Sequence, residues 1–442
     1  MTKGPNILII HADQHRYDCL GAYGNTDIRT PNIDALARVG VLFANSFCPY
    51  PVCTPSRYSL LSSQYVHQHR GFSNVSTLSP DIPTLPRILK DAGYRTASVG
   101  KMHFTPTYLD VGFDEMQLAE QFGNGRYDDD YHRWLRSEGV CDRLDMIDQV
   151  SEFRKEAPKE YWERFGAFPS DLDEAHHSTT WIGNKAVDQL DKWEDCYNFL
   201  MVGFIKPHHP FDPPRPWADM YDPDNLSVLP GWTEKLIHGD NDNNHFSYEG
   251  LSELSLRRVM ALYYASISQI DHHVGRMVSL LKKKGLYDNT VIVYTSDHGD
   301  YMGHHHRILK GNRMLEPLIR VPLIIKCPSD YLLRGIDSRL VNNIDVAPTL
   351  LSAAGLKPPD TMAGMDLTDR AASADYVFAE AGYEYMVRSR TRKLLVHRNA
   401  ELSMFFDLER DPLEMKNLFS SAEHQSEIAR LRSQLDGWPL FD

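Results

Sequence analysis

Two pairs of residues with metal-binding side chains directly follow apolar runs of the chain. Asp13 and Gln14 follow one run, and Asp297 and His298 follow another. In α/β sheets, ligands bind beyond the carboxyl ends of the strands, so both pairs stand where a site is expected. Two carboxylates, an amide oxygen and an imidazole suit a hard divalent cation with mainly oxygen ligands. These four residues are therefore candidate metal ligands.

Three further motifs and one lysine combine nucleophilic, cationic or acid–base side chains. They are C-T-P-S-R at residues 53–57, G-K-M-H at 100–103 and K-P-H-H-P at 206–210. The last two follow predicted strands, which again places them at the edge of the sheet where a site is expected. The candidate residues are Cys53, Arg57, Lys101, His103, His208, His209 and Lys310.

Each candidate also has an ordinary structural explanation. Free cysteines such as Cys53 are among the most buried residue types, whatever their reactivity. Asp13 could simply cap a helix, and Lys101 could be a solvated side chain at a strand end. The run His304-His305-His306 invites a second metal site, but we interpret these histidines as residues of the surface or the pocket rim. Only the combination of motifs favours catalysis over these structural roles.

The elements that hold these side chains alternate between strand and helix. Continuous apolar runs at residues 6–11, 96–99, 198–205, 290–295 and 321–326 are typical of parallel strands covered on both faces. The periodic helical segments between them predict helices on both sides of the sheet. We therefore predict an α/β fold with a mostly parallel central sheet sandwiched by helices. The clearest helix is predicted to begin with Ser255 as its cap and to stop at Gly285.

We divide the chain into a catalytic domain, residues 1–365, and a C-terminal α+β subdomain, residues 366–442. Within the first, residues 105–195 and 212–250 are acidic, aromatic and weakly periodic, which predicts insertions that build the rim of a pocket. Within the second, the pattern predicts a small antiparallel sheet and a final helix. Its predicted strands are residues 376–379, 393–397 and 404–408, and its helix is residues 423–435.

Composition excludes several classes of function. Lys and Arg number 47 against 60 Asp and Glu, and the net charge of -13 argues against a nucleic-acid partner. No apolar stretch approaches the roughly 18 residues of a membrane span, and residues 7–10 are too short for a signal sequence. We therefore expect no membrane interaction and a cytoplasmic location. The six cysteines form no C-x-x-C pair, which argues against a disulfide framework or a zinc ribbon.

Together these motifs resemble the type I sulfatases of the alkaline phosphatase superfamily over nearly the whole chain. C-T-P-S-R is similar to the family signature in which a formylglycine-generating enzyme oxidises the cysteine to formylglycine. G-K-M-H, K-P-H-H-P-F and T-S-D-H-G-D-Y-M-G-H-H-H-R-I-L-K resemble family blocks in the family's order, as do N-I-L-I-I-H-A-D-Q and R-T-P-N-I-D-A-L-A near the start. F-F-D-L-E-R-D-P-L-E-M-K-N-L resembles the C-terminal signature. The resemblance implies an alkaline phosphatase-like fold.

The resemblance also implies a metal site. Calcium is the usual occupant in sulfatases, and manganese or magnesium are alternatives. Gln14 stands where many members have a second Asp, and choline sulfatases and phosphonate monoester hydrolases resemble the chain there. Asn74 matches a substrate-oxygen ligand position in those two groups. The implied ligands are Asp13, Gln14, Asp297, His298 and the modified Cys53.

The implied reaction hydrolyses a small-molecule sulfate ester to an alcohol and inorganic sulfate. The hydrated aldehyde at position 53 attacks sulfur with one hydroxyl, and its second hydroxyl allows sulfate to leave. Arg57 is expected to stabilise that group, and Lys101 the sulfate oxygens. His208 and Lys310 are expected to protonate the leaving alcohol, and the family form K-P-H-x-P-F favours His208 over His209 for this role. His103 is expected to take the proton of the second hydroxyl. The implied catalytic residues are Cys53, Arg57, Lys101, His103, His208 and Lys310, and the implied substrate-binding residues are Asn74, Lys101 and Lys310.

Two other functions stay open from the sequence. A phosphonate monoester or phosphodiester hydrolase would use the same formylglycine and metal, but those enzymes lack the Lys and His found here as Lys101 and His103. A non-catalytic sulfate-ester-binding protein with an unmodified Cys53 is the second alternative, and the filled polar positions argue against it. The alcohol could be aryl, choline-like or a sugar, and a homo-oligomer is compatible with the sequence.

Overall fold

The computed structural model describes residues 4–123, 125–195, 197–238, 245–328 and 334–439. Cys196 and residues 239–244 of the second predicted insertion lie outside the described residues. The strands are β1 (Asn6–Asp13), β2 (Val41–Phe47), β3 (Arg95–Gly100), β4 (Glu115–Leu118), β5 (Asn198–Pro207), β6 (Thr290–Ser296), β7 (Leu323–Lys326), β8 (Gly335–Asn342), β9 (Val377–Ala381), β10 (Glu384–Arg388), β11 (Arg392–His397) and β12 (Met404–Asp407).

Helices fill most of the connections between the strands. In the described part of the chain they are α1 (Pro31–Val39), α2 (Cys53–Ser62), α3 (Val66–His69), α4 (Leu85–Asp91), α5 (Gly125–Asp128), α6 (Asp130–Ser137), α7 (Arg143–Gln149), α8 (Ser151–Lys155), α9 (Lys159–Glu163), α10 (Ser178–Asp191), α11 (Glu253–Lys283), α12 (Glu316–Ile319), α13 (Val346–Ala353) and α14 (Gln425–Arg432). None of these helices is both long and apolar enough to cross a bilayer.

The central sheet has eight strands in the order β4-β3-β5-β1-β6-β7-β2-β8. Five neighbouring pairs are parallel, and only β7 runs antiparallel to its neighbours β6 and β2. Every residue of β1, β5 and β6 is buried, as expected for central parallel strands with helices on both faces. The predicted fold class, a mostly parallel sheet between helices, is confirmed.

Two details of the predicted elements were wrong. The run at residues 321–326 forms only the short strand β7, and it is antiparallel, because apolar content alone carries no strand direction. The long helix α11 is capped by Ser252, whose side chain accepts a hydrogen bond from the backbone N–H of Ser255. Ser255 is therefore the third residue inside the helix, and both serines fit the capping pattern.

The predicted insertion at residues 105–195 contains more of the main fold than the sequence indicated. It contributes β4, which forms the edge of the central sheet beside β3. It also contributes α10, which packs against β5 and α11. Helices α5 to α9 lie between these two elements in the sequence. The region is therefore partly core and only partly insertion.

A separate four-stranded antiparallel sheet follows, in the order β12-β11-β10-β9. The sequence predicted three of these strands and the final helix, but missed β10, whose five residues are all buried. One face of this sheet packs against the region of the central sheet through Met386, Leu395 and Phe406. The other face packs against α14 through Ile428 and Leu431.

Candidate active site

Four neighbouring parallel strands end at the same edge of the sheet, each followed by a candidate side chain. Asp13 is the last residue of β1, and Asp297 with His298 directly follows β6. Lys101 directly follows β3, and His208 directly follows β5. Because these strands are adjacent and parallel, the candidates from four distant parts of the sequence meet in one place.

Cys53 is the first residue of α2 and is fully buried in the middle of this group. Its Sγ lies 3.3 Å from Nε2 of His298, 3.6 Å from Oδ1 of Asp13 and 3.0 Å from Nζ of Lys310. Burial, and then the nearby carboxylate of Asp13, raise the pKa of the Cys53 thiol to about 11. The unmodified residue is thus a protonated thiol at neutral pH and a weak nucleophile.

Arg57 holds the two buried carboxylates of the site side by side. Its Nη2 donates to Oδ2 of Asp13 and its Nε to Oδ2 of Asp297, both at 3.0 Å. Its Nη1 donates to the backbone oxygen of Lys101 at 2.6 Å. Because its guanidinium already binds these three groups, Arg57 positions the carboxylates and the Lys101 loop, and direct contact with a substrate would be secondary.

The cations of the site keep both carboxylates ionised. Burial by itself would raise the pKa of Asp13, but the charges of Lys101, Arg57 and Lys310 outweigh it and lower that pKa well below its usual value. Nζ of Lys101 lies 2.8 Å from Oδ2 of Asp13. Burial and Asp13 would likewise raise the pKa of Asp297, yet its pKa is lowered, chiefly by the charge of Arg57. Two full negative charges therefore face the space around Cys53.

The donor atoms around Cys53 fit a divalent cation. Asp13, Cys53, Asp297 and His298 each offer one ligand atom within 4.8 Å of the others. Nδ1 of His298 donates to the backbone oxygen of Gly299 at 2.9 Å, which leaves Nε2 unprotonated and directed at the group. Burial lowers the pKa of His298, so the ring is the neutral form that metals bind.

Gln14 adds an oxygen to this donor set. Its Nε2 donates to Oδ2 of Asp300 at 2.6 Å, which fixes the amide orientation. Its Oε1 is buried and has no hydrogen-bond partner among the described residues. The backbone of Gln14 adopts a left-handed φ of 64°, a conformation that is rare outside glycine and typical of functional sites. Because buried polar atoms are normally paired, this unpaired acceptor oxygen fits the role of a metal ligand.

His208 and Lys310 form a pair on the other side of Cys53. Nζ of Lys310 lies 3.0 Å from Nε2 of His208. Nδ1 of His208 donates to the backbone oxygen of His209 at 2.7 Å, so Nε2 is the acceptor in the pair. Burial and Lys310 lower the pKa of His208 well below its usual value. Burial would also lower the pKa of Lys310, but Cys53 and Asp13 outweigh it and raise that pKa.

His209 has a different environment from its neighbour. Its ring stacks on that of His208 at 4.2 Å between centroids, but its Nδ1 donates to Oδ1 of Asp148 at 2.6 Å. The other carboxylate oxygen of Asp148 accepts a hydrogen bond from the hydroxyl of Tyr161 at 2.7 Å and lies 3.3 Å from Nε2 of His245. His208, and not His209, thus contacts the residues around Cys53. No sequence pattern distinguished Asp148 or His245 from other polar residues.

His103 and Asn74 both contact Thr54, the residue after Cys53 in α2. Oδ1 of Asn74 accepts the backbone N–H of Thr54 at 3.1 Å, and Oγ1 of Thr54 donates to the backbone oxygen of His103 at 2.7 Å. Both ring nitrogens of His103 are buried and have no hydrogen-bond partner in the described part of the chain. Burial and Lys101 lower the pKa of His103 well below its usual value. Its imidazole is therefore neutral.

Glu120 is a positioning residue that sequence reasoning missed. Its Oε1 accepts the backbone N–H groups of Met102 and His103 at 2.9 and 2.8 Å. It stands just after β4, so the edge strand holds the loop that carries Lys101. Burial raises the pKa of Glu120 to about 7. A lone Glu in an acidic segment has no sequence signal that would distinguish it from a surface residue.

The interpretation of His304-His305-His306 as rim histidines was wrong. His304 and His305 are buried, and their rings stack at 3.9 Å between centroids. Nε2 of His305 lies 2.8 Å from the backbone oxygen of Leu413, and Nδ1 of His306 lies 2.9 Å from that of Thr233. The first contact joins the loop after β6 to the C-terminal region, and the second joins it to the segment around Thr233, so the run is structural.

The chain is similar to known proteins over most of its length. The family model described as Sulfatase matches residues 5–356, and the model described as N-sulphoglucosamine sulphohydrolase, C-terminal, matches residues 304–438. The chain is 32% identical to an arylsulfatase of Clostridium perfringens (strain 13 / Type A), over 98% of this chain and 93% of that protein. It is 29% identical to a choline-sulfatase of Rhizobium meliloti (strain 1021), over 95% and 83% of the two chains.

Among solved structures, the phosphonate monoester hydrolase of Agrobacterium radiobacter has a similar fold. The TM-score is 0.81 with 23% identity, over 98% of this chain and 95% of that chain. At this identity the likeness concerns the architecture and does not choose between sulfate and phosphonate esters.

Proposed function

Because the chain belongs to the sulfatase family, we propose that it hydrolyses a sulfate monoester to an alcohol and inorganic sulfate at the site around Cys53. The observation that carries this proposal is the position of Cys53 between two ionised carboxylates and Lys310. A sulfate group placed there would face Lys101, Lys310 and the metal donors together. Although the whole protein carries a net charge of -13, this local group of cations suits an anionic ester.

The proposal includes oxidation of Cys53 to formylglycine by a formylglycine-generating enzyme. The motif C-T-P-S-R supports it, and the high pKa of the thiol argues that the unmodified side chain does not serve as the nucleophile. When hydrated, the formylglycine supplies two hydroxyls on one carbon, one for attack on sulfur and one for release of sulfate. A serine at this position would lack the second hydroxyl.

The metal would be held by Asp13, Gln14, Asp297 and His298, together with the modified residue at position 53. The oxygen-rich donor set favours calcium, with manganese or magnesium as alternatives. When bound, the cation would supply Lewis-acid stabilisation of charge and lower the pKa of the nucleophilic hydroxyl. Arg57 binds the carboxylates of Asp13 and Asp297 and so holds both in place for the cation.

The remaining roles follow from the contacts of the side chains. Lys101 and Lys310 would bind the oxygens of the sulfate group as fixed positive charges. In the His208–Lys310 pair the proton is on Lys310, so this pair can pass a proton to the leaving alcohol. His103 has a free, neutral imidazole, which can take the proton of the second hydroxyl when sulfate leaves.

Production with a formylglycine-generating enzyme tests the proposal. We expect release of sulfate from 4-nitrophenyl sulfate, and mass spectrometry of the peptide with residue 53 should show an aldehyde in place of the thiol. Cys53→Ala should abolish turnover and leave the melting temperature nearly unchanged. The matched control is Cys141→Ala, at an exposed cysteine, which should keep full activity. Turnover retained by Cys53→Ala would contradict the covalent mechanism.

The metal site has its own test. Asp297→Ala should remove the bound metal, measured as metal content of the purified protein, together with the activity. A fully active variant without metal would refute the assignment of these ligands.

A further inference from the structure

Three side chains from distant parts of the chain meet beside the proposed active site. Asp148 lies in α7, His209 comes two residues after β5, and His245 precedes α11. Each offers one metal-binding atom, and the three atoms all lie within 4.8 Å of one another. Asp148 and His209 are buried, and the side chain of His245 is 13% exposed. Among the described residues, only this group and the one around Cys53 bring three or more such side chains together so closely.

Asp148 is the centre of this group. Its Oδ1 accepts hydrogen bonds from Nδ1 of His209 at 2.6 Å and from Nε2 of Gln149 at 2.5 Å. Its Oδ2 accepts a hydrogen bond from the hydroxyl of Tyr161 at 2.7 Å and lies 3.3 Å from Nε2 of His245. Hydrogen bonds donated to a carboxyl group stabilise its charged form, so the contacts of Asp148 favour a buried carboxylate.

No lysine or arginine in the described part of the chain forms an ion pair with this carboxylate. Its ion-pair partners there are the two histidines. Burial lowers the pKa of His209 to about 4, so that ring is neutral at pH 7. Arg154 donates to the backbone oxygen of Asp148 and not to the carboxylate. Buried charges are normally paired with an opposite charge or bound to a metal, so a cation at this position would offset the charge of Asp148.

The donor atoms of this group differ in kind from those around Cys53. Two imidazole nitrogens and one carboxylate oxygen suit zinc and similar transition-metal ions, whereas an oxygen-rich set suits calcium. With bonds of about 2.0–2.1 Å, the ligand atoms of a tetrahedral zinc ion lie about 3.3 Å apart. Oδ2 of Asp148 and Nε2 of His245 already have this separation. The hydrogen bond between Asp148 and His209 would have to lengthen only slightly from its 2.6 Å.

A metal ion would displace the proton between His209 and Asp148. Nδ1 of His209 carries the proton that it donates to Asp148, and on metal binding this proton would move to Nε2 of the same ring. The hydroxyl of Tyr161 keeps its proton, because burial and Asp148 raise its pKa. It would therefore continue to orient the carboxylate when a metal is bound. Water can supply the fourth ligand of such an ion.

We propose that Asp148, His209 and His245 bind a second divalent ion, of the zinc class, at a site separate from the one around Cys53. The proposal does not depend on the sulfatase function. The ion would join α7 and the segment before α11 to the loop after β5, a strand of the central sheet. The ring of His209 stacks on that of His208 at 4.2 Å. The ion would therefore stabilise the fold and hold the ring against which His208 packs.

The test measures zinc per chain by mass spectrometry of the metal, after saturation of the full-length protein with zinc chloride and gel filtration. His245→Ala should bind one zinc ion fewer than wild type, and so should Asp148→Asn, which keeps the shape of the side chain. Zinc should also raise the melting temperature of wild type more than that of His245→Ala, because a ligand stabilises only the protein that binds it. The control is His272→Ala, at an exposed histidine of α11, which should bind as much zinc as wild type.

Asp297→Ala separates the two metal sites. This variant should lose the metal held around Cys53 and keep the zinc ion that depends on His245. Equal zinc content in wild type, Asp148→Asn and His245→Ala would overturn the proposal, and the group would then be a hydrogen-bonded cluster that only orients His209. That result would leave the sulfatase function intact, since none of these measurements uses turnover.

Discussion

At the scale of single residues, the proton of the His208–Lys310 pair decides how the leaving alcohol is stabilised. The backbone oxygen of His209 can only accept, so Nδ1 of His208 carries the ring proton and Nε2 accepts from Lys310. The lowered pKa of His208 agrees with that arrangement. Lys310 is therefore the proton donor in the resting site, and His208 orients it.

Lys310→Met tests this arrangement. The variant should lose about 10²-fold in kcat with phenyl sulfate, as for removal of a general acid. The loss with 4-nitrophenyl sulfate should be clearly smaller, because 4-nitrophenolate leaves without protonation. Steady-state kinetics with both esters gives the comparison. An equal loss for the two esters would mean that Lys310 serves only to bind the sulfate group.

At the scale of elements, the site depends on the close approach of β3 and β5. A Cβ on Gly203 would lie 2.0 Å from the backbone oxygen of Lys101, and one on Gly100 would lie 2.1 Å from the backbone oxygen of Gly203. No side chain fits at either position without moving backbone. The glycines thus let the strand that ends at Lys101 lie against the strand that leads to His208.

Gly203→Ala should therefore destabilise the protein by about 3 kcal/mol, the cost of overpacking a buried site, and should lower kcat/KM by moving Lys101. Urea unfolding and kinetics measure the two effects. The control is Gly275→Ala, where the atoms nearest to the added Cβ belong to the side chain of Asn32 and not to backbone. A Gly203→Ala variant as stable and active as the Gly275→Ala variant would contradict the role given to this contact.

The edge strand β4 supplies a pH-dependent contact through Glu120. Its folded pKa of about 7 lies above the ordinary 4.5 because the carboxylate is buried. Its Oε2 has no hydrogen-bond partner among the described residues. A raised carboxyl pKa means that the folded state binds the proton more tightly than the unfolded state does. The contribution of Glu120 to stability is thus full below about pH 4.5 and is lost as the pH rises through 7.

Glu120→Gln should remove this pH dependence, since Gln can keep both hydrogen bonds to the backbone of Met102 and His103. The melting temperature of the variant relative to wild type should rise between pH 5 and pH 8. Glu120→Ala, which removes the hydrogen bonds as well, should lower kcat/KM at every pH. A constant difference in melting temperature between Glu120→Gln and wild type across this range would contradict the assigned pKa.

The strands next to the chemistry were predictable from sequence, and the elements around them were less so. Buried parallel strands such as β1 and β6 are continuous apolar runs that end in polar residues, so pattern and function coincide at Asp13 and Asp297. By contrast, β4 is a four-residue edge strand of ordinary composition, and β10 is a five-residue strand. Nothing in sequences of this length separates strand from loop until a neighbour pairs with them.

The candidate site shows the same division. Residues with unusual chemistry, such as Cys53 and His298, could be named from their motifs. Asp300, Glu120 and Asp148 could not, because a carboxylate that orients another residue has no signature of its own. The burial of His304 and His305 could not be predicted from the sequence either, because it depends on the packing of the C-terminal region against the loop after β6.

At the scale of the whole molecule, buried ion pairs join the C-terminal sheet to α12, which belongs to the region of the central sheet. Nζ of Lys393 on β11 lies 2.6 Å from Oε1 of Glu414 and 3.4 Å from Oε1 of Glu316 on α12. Arg388 on β10 binds the same Glu316 at 2.8 Å. Glu414 also accepts the backbone N–H of Glu316, so the segment that resembles the family's C-terminal signature holds α12 directly. The two predicted regions, 1–365 and 366–442, are therefore joined by buried ion pairs.

Lys393→Met should cost about 3–5 kcal/mol of unfolding free energy, because it leaves the buried Glu414 without its cation. The matched control is Lys357→Met: Lys357 is exposed and pairs with an exposed Asp360, so its loss should cost less than about 1 kcal/mol. Denaturant unfolding of both variants measures the difference. Equal stabilities would show that the network does not join the two regions energetically.

The most direct test of the central claim is kcat/KM for paired 4-nitrophenyl sulfate and 4-nitrophenyl phenylphosphonate, with protein co-produced with a formylglycine-generating enzyme. We predict a preference for sulfate of about tenfold or more, set by differential binding of the transition states, and loss of both activities in Cys53→Ala. A preference for the phosphonate ester would contradict the account. Lys101 and His103 would then not set the choice of ester, and the phosphonate monoester hydrolase would become the better description.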